Sequence, residues 1–299
     1  AEGFFGRIIN RKRKYNMKQQ SVNYYKQVDI DCWDDFKCYS DKFPLGTIFR
    51  GQSDSNWDLN CSYERSSLFK SYRSEEVMIN EFKKIAHFYI SEHKMPMTNL
   101  AWLALMQHHG TPTRLIDFTK SPFIASYFAY EKLDNNSERV AIWCINKGNL
   151  YERVLSKVLD KIPDYKTTGN NCTFLDSDFD KITNQTGIEC VIPFEIENPN
   201  ERYYLQQSIF LVPASIEKRT IDQFENFPKE YNETITKITL PSNIYKEVLR
   251  DLLRMNITAA SLFSSLDGYA KYIYMRHSIL PTIDEIERNQ DYMKRKGIF

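Results

Sequence analysis

No stretch of this chain stays apolar for the length a membrane span needs, and its N-terminal region carries charge and polarity where a signal peptide needs an apolar core. A cytoplasmic protein without membrane contact is the expectation. None of the six cysteines (Cys32, Cys38, Cys61, Cys144, Cys172, Cys190) forms a Cys-x-x-Cys pair. That argues against a disulfide framework or a zinc knuckle and for reduced thiols. No internal repeat suggests a solenoid or propeller. Neither sign of charge dominates, since 40 basic residues against 39 acidic ones leave a formal net charge of +1. With 299 residues, 42% apolar and 26% charged, the chain has enough apolar side chains for one sizeable core or two smaller ones.

The balanced charge is unevenly placed. Arg7, Arg11, Lys12, Arg13, Lys14 and Lys18 form a basic arm with Glu2 as its only acid, and Tyr15, Tyr24 and Tyr25 lie near it. Cations interleaved with aromatics suit a nucleic acid, with Arg11, Lys12, Arg13 and Lys14 as the candidate contacts. The plainer reading is a solvated tail. Arg288, Lys294, Arg295 and Lys296 make the C-terminal end basic in the same way.

Periodicity predicts helices over 29–39, 74–92, 98–108, 121–131 and 241–255, with Thr98 and Gly110 bounding the third and Pro122 in the first turn of the fourth. Strands are expected at 47–50, 115–118, 140–146, 189–195, 208–213 and 234–240. Residues 167–187, rich in Asn, Asp, Thr and Gly, read as an irregular excursion. The fold class expected is α+β, a single compact mixed sheet with helical elaboration and most of the sheet in the second half. The chain divides into a basic arm (1–28), one domain (29–280) and a C-terminal helix with a basic tail (281–299).

Two segments have the character of a site. Phe49-Arg50-Gly51-Gln52 places a guanidinium beside a glycine, a pair suited to an anionic group held against open backbone; a salt bridge from Arg50 to Asp117 is the structural alternative. From Gln107 to Pro122, hydrogen-bonding and titratable side chains are crowded among turn residues. His108 and His109 suit a proton carrier and its neighbour, against the alternative of a core histidine. They diverge by roughly 100° on a helix, and a third ligand is missing, so no metal is expected.

These segments, with Trp57-Asp58-Leu59, Gln107-His108-His109-Gly110, Thr113 to Thr119, Ala125 to Ala129, Arg202, Gln206 to Phe210 and Ser261 to Gly268, resemble the FRG-domain family. The likeness runs from about Asp29 to Tyr274. Cys61-Ser62-Tyr63 stands where Pro-Ser-Leu is usual, and Ser208 where glycine is usual. FRG domains distantly resemble ADP-ribosyltransferases, which implies an NAD cleft opened by an aromatic-Arg-Gly strand. On that resemblance NAD is the co-substrate. Arg50 orients the dinucleotide, Gly51 offers backbone to the nicotinamide amide, and Asp117, Thr119 and Ser121 share one face toward a ribose. The cofactor-binding set is then Arg50, Gly51, Gln52, His108, Thr113, Arg114, Thr119 and Ser121, and the catalytic set Asp117, His109 and Gln206. An Asp or Thr helix cap before Pro122 is the structural alternative.

The glutamate usual in such enzymes has no counterpart, because the strand expected over 203–212 offers Gln206 and Gln207, with Glu195, Glu197 and Glu201 upstream. Glutamine can orient a sugar hydroxyl but supplies no charge, so Asp117 is the first candidate carboxylate. The resemblance implies transfer of ADP-ribose to a macromolecule, RNA or other nucleic acid before protein, by a bacterial toxin or anti-phage effector with a possible cognate inhibitor or antitoxin. A non-catalytic nucleotide- or partner-binding module is the alternative, and a metal-independent nuclease the third.

Overall fold

The computed structural model describes residues 18–22, 24–66, 71–132, 137–166, 172–184, 187–225, 234–279, 288 and 292–297. Its strands are β1 (Lys18–Val22), β2 (Tyr25–Asp29), β3 (Thr47–Gln52), β4 (Ile116–Thr119), β5 (Arg139–Asn146), β6 (Phe174–Leu175), β7 (Val191–Glu195), β8 (Ser208–Pro213) and β9 (Ile235–Pro241). They join in one sheet of order β1-β2-β9-β5-β3-β4-β8-β7-β6. All neighbours run antiparallel except β2 with β9 and β6 with β7, so the α+β class and the single mixed sheet hold.

β5 explains the layering. Side chains alternate across a strand, so Val140, Ile142 and Cys144 enter one core while Trp143 and Ile145 enter the other. A strand buried on both faces reads as a continuous apolar run. One face is covered by helices Trp33–Ser40, Pro122–Tyr130 and Tyr245–Arg254, through Trp33, Phe36, Ile124, Tyr127, Val248 and Leu252. The other is covered by helices Asn99–His108 and Lys147–Lys161, through Leu100, Leu103, Met106, Leu150, Val154 and Val158. Each such fully buried aliphatic or aromatic side chain contributes about 1.5–3 kcal/mol.

Two helices are placed by signals visible in the sequence. Asn99–His108 begins where the Thr98 hydroxyl accepts from the Ala101 amide, and it ends at Gly110, whose φ of +90° suits glycine. Pro122–Tyr130 starts with proline at its first position and with Ser121 accepting from the Ile124 amide at 3.3 Å.

Other expectations need correction. The helix expected from Asp29 starts at Trp33, because Asp29 closes β2 and accepts from the Thr239 hydroxyl at 2.8 Å. The long helix is Tyr72–Ala86, and Glu92–Lys94 is a separate 3-10 turn. Pro241 ends β9, Ser242–Ile244 is a 3-10 turn, and the α-helix begins at Tyr245. The first half supplies five of the nine strands, since β1 and β2 lie within 18–29, the end of the segment read as an arm. Within 167–187 the described residues hold β6 and helix Phe179–Thr183, not an irregular excursion. Residues 203–205 are helical: Glu201–Leu205 is capped by Asn200, whose side chain accepts from the Tyr203 amide at 2.9 Å. Gln207 then turns the chain at φ +50°, and β8 starts at Ser208.

Candidate functional site

β3 and β4 are joined by a single residue pair, Phe49 with Thr119. Beyond it the two strands part, and a cleft of about 840 Å³ opens where the sheet splays. Its floor carries Phe49, Arg50 and Gly51 from β3 and Asp117, Phe118 and Thr119 from β4; Gln107, His108 and His109 overhang it from the end of their helix. Arg202, Tyr203 and Gln206 line the same cleft together with Phe263 and Lys271, with Arg202 beside His108.

Arg50 bridges the gap between the strands. Its Nη1 donates to the Asp117 backbone carbonyl at 2.8 Å, not to the carboxylate, so the alternative of a side-chain salt bridge is not what the structure contains. Its Nε is buried with no hydrogen-bond partner. Burial pushes the guanidinium pKa down, the Asp117 charge pulls it up and Arg65 pushes it down again. A half-buried cation with a spare donor and a second arginine nearby is stabilised by an incoming anion.

The Asp117 carboxyl is open to the cleft while protein surrounds it on the other sides. That surrounding raises its pKa, which Arg50 and then Arg202 pull back down. Oδ2 accepts from Gln107 Nε2 at 2.6 Å. The Thr113 hydroxyl donates to Gln107 Oε1, which orients the amide so that its N–H side faces the carboxylate. Thr113 is fixed in turn by Ser62, whose Oγ accepts from the Thr113 amide at 2.9 Å and donates to the Thr113 carbonyl at 3.0 Å. The carboxylate is therefore held from behind by a chain of uncharged groups.

His108 faces Arg202, with Nδ1 2.9 Å from Nη1. Burial, then Arg202, then His109 push its pKa down. His109 packs edge-on against His108 with ring centroids 4.8 Å apart. Arg202 lies over the Phe263 ring at 4.9 Å. Gln206 is buried with its Nε2 donating to the Leu262 carbonyl at 3.1 Å, so part of its hydrogen-bonding capacity serves packing.

Of the residues expected from sequence, the cleft gathers Asp117, His109, Gln206, Arg50, Gly51, His108 and Thr119. It does not gather Gln52, Thr113, Arg114 or Ser121. Gln52 is buried and accepts from Trp143 Nε1 at 2.7 Å. Thr113 acts behind Asp117, as above. Arg114 is buried in an ion pair with Glu75, its Nε donating at 2.8 and 2.9 Å to the two carboxylate oxygens. Ser121 caps its helix, where an Asp or Thr cap was the structural alternative. Glu195, a reserve carboxylate, pairs with Lys120 at 2.9 Å away from the cleft. Arg11, Lys12, Arg13 and Lys14 lie outside the described residues.

Gly51 has a packing role that its sequence context hides. A Cβ there would stand 1.9 Å from the Ala125 carbonyl oxygen, so only glycine lets helix Pro122–Tyr130 rest on β3. Sequence reasoning also missed Gln107, Glu131, Arg202 and Lys271 as cleft residues. Gln107 and Arg202 stand in the motifs quoted above, whereas Glu131 and Lys271 carry no local signal.

The fold and the cleft define an α+β domain with a charged groove at a split in its sheet. Residues 46–138 match the family model described as FRG domain. The match is narrower than the likeness read from motifs. It holds β3, β4 and helices Asn99–His108 and Pro122–Tyr130, while the wall carrying Arg202 and Phe263 lies beyond it. No curated protein and no solved structure matches the chain. Among the described residues, no group of three or more His, Cys, Asp or Glu side chains is placed to hold a metal ion, and no helix is long and apolar enough to cross a membrane.

Proposed function

We propose that the cleft binds NAD and transfers its ADP-ribose to a macromolecular acceptor. The observation that carries this reading is the Arg50–Asp117 pair at the sheet split: a half-buried guanidinium with a buried, unpartnered Nε beside a carboxyl group steadied by Gln107. The volume suits a dinucleotide, since ligand clefts span about 300–1,000 Å³. Arg50 holds the diphosphate with Nε and its remaining N–H groups. NAD supplies a glycosidic bond whose nicotinamide leaves neutral, taking the bonding electron pair. Asp117 then faces the positive charge left on the ribose carbon and stabilises it. The acceptor's oxygen or nitrogen bonds to that carbon, and its proton passes to the Asp117 carboxylate. Gln206 brings no charge, and Asp117, beside Arg50 and steadied by Gln107, carries this role.

The acceptor favoured is RNA or another nucleic acid, then protein, in a toxin or anti-phage setting with a cognate inhibitor. A second reading, a non-catalytic nucleotide-binding module, is favoured by one observation: the protein around the Asp117 carboxyl holds it toward its neutral form. NAD labelled in its adenylate half separates the two. Label in an RNA, DNA or protein pool with free nicotinamide supports transfer. Free nicotinamide without labelled polymer marks a glycohydrolase, and NAD binding with no nicotinamide release marks the module.

A further inference from the structure

Arginine donates hydrogen bonds and accepts none. The contact between Arg202 Nη1 and His108 Nδ1 therefore needs a lone pair on Nδ1. That leaves the imidazole neutral with its one proton on Nε2, the nitrogen still available to a ligand. The surroundings point the same way. Arg202 and His109 are the charged and titratable neighbours acting on His108, both against an imidazolium, while Asp117 and Arg50 stand across the cleft floor. The pair is also braced: the guanidinium of Arg202 stacks over Phe263, and Asn200 caps the helix that carries it. Arg202 keeps one buried donor, Nε, without a partner.

We propose that His108 and Arg202 form a second oxygen-binding subsite of the cleft, each donating to a phosphoryl oxygen, His108 through Nε2–H and Arg202 through Nε–H, with His108 serving as a donor and never as a base. The proposal rests on the reading of the cleft as a nucleotide site, and it assigns Arg202 a positioning role: it sets the tautomer of His108. Arg50 and Arg202 both lower the Asp117 pKa, so both arginines lie within electrostatic reach of the carboxylate. The phosphoryl oxygen belongs either to the diphosphate of the nucleotide or to a phosphodiester of the acceptor, and the two arms of the test separate these sources.

The test is long-range ¹⁵N NMR of the histidine rings in the full chain at pH 7. The result expected is an unprotonated Nδ1 and a protonated Nε2 at His108. Arg202→Gln should move the His108 pKa back up toward the ordinary imidazole value. ADP-ribose that shifts the Nε2–H signal places the nucleotide diphosphate there; a shift with a single-stranded oligoribonucleotide alone places the acceptor there. His108→Gln, whose amide N–H reaches to the Nε2 position, should keep the affinity of the responding probe within about threefold, whereas His108→Asn should lose about tenfold, the worth of one hydrogen bond to a charged acceptor. A proton on Nδ1, an imidazolium at pH 7, or equal affinity of the Gln and Asn variants overturns the proposal. So does a His108 signal that neither probe moves. ADP-ribose binding that needs Arg50 yet leaves His108 unmoved retains the nucleotide reading and removes the subsite alone.

Discussion

Gly51→Ala is the sharpest perturbation the fold permits. The new Cβ would lie 1.9 Å from the Ala125 carbonyl oxygen and 2.6 Å from the Ala129 amide nitrogen, where ordinary contact begins near 3.4 Å. Both obstacles are backbone, so no side chain can swing away and helix Pro122–Tyr130 must withdraw from β3 by roughly 1.5 Å. Overpacking of this kind costs about 1–3 kcal/mol, and a clash with main chain belongs at the top of that range. About 3 kcal/mol in a chain of this length lowers the melting temperature by about 6 °C, at roughly 2 °C per kcal/mol. The helix follows β4, so its withdrawal also strains the Arg50 contact to the Asp117 carbonyl, now 2.8 Å. Scanning calorimetry with a parallel ADP-ribose titration measures both effects. A variant that melts within about 2 °C of wild type and binds normally would refute the packing argument.

Arg114→Met leaves Glu75 as an unpaired buried carboxylate and should cost about 3–5 kcal/mol in urea unfolding, while the fraction still folded binds ADP-ribose normally; a folded variant that has lost binding returns Arg114 to the ligand site. Asp117→Asn keeps an oxygen for Gln107 and should lower nicotinamide release on the order of 100-fold. Because the folded pKa of Asp117 is raised, the ionised carboxyl costs stability above that pKa, so the Asn variant should melt no lower than wild type at neutral pH. The same shift places the acid limb of the wild-type rate profile above the ordinary carboxylate range, with activity rising as pH rises, and a limb near pH 4 contradicts it. Asp251 is the opposite case: hydrogen bonds from Lys37 and Trp33 hold its pKa down, so its stabilisation is present above the unfolded value of about 3.9 and is lost as pH falls through the folded one. Asp251→Asn should therefore flatten the acid end of the stability profile, and an unchanged profile assigns that loss to other carboxylates.

Elements with local punctuation were legible in the sequence. Thr98 and Gly110 bound their helix as expected, and β8 runs over the predicted 208–213. Residues 147–161 carry no expectation, although Leu150, Val154 and Val158 recur at helical spacing and are the signal that finds that helix. Elements set by longer-range pairing were misjudged. β2 ends at Asp29 because it pairs in parallel with β9, over two hundred positions away, which no helical period can reveal. The site divides the same way. Arg50 and Asp117 were legible as partners, but not that the guanidinium would take a carbonyl and leave the carboxylate to Gln107. Arg114 sits in the same motif as Asp117 and turns inward, because its counterion Glu75 lies 39 residues upstream on helix Tyr72–Ala86. Arg202 entered the motif set without a role, since that role depends on His108, 94 residues earlier in the chain.

The central claim is that the Arg50–Asp117 cleft uses NAD. Nicotinamide release from NAD by the full chain, measured beside Arg50→Ala and Asp117→Asn preparations of matched melting temperature, tests it most directly. Wild type should release nicotinamide, Arg50→Ala should bind NAD weakly with little rescue by Arg50→Lys, and Asp117→Asn should bind with near-normal affinity and release slowly. Equal NAD affinity in wild type and a folded Arg50→Ala variant, or release undiminished in Asp117→Asn, would contradict it.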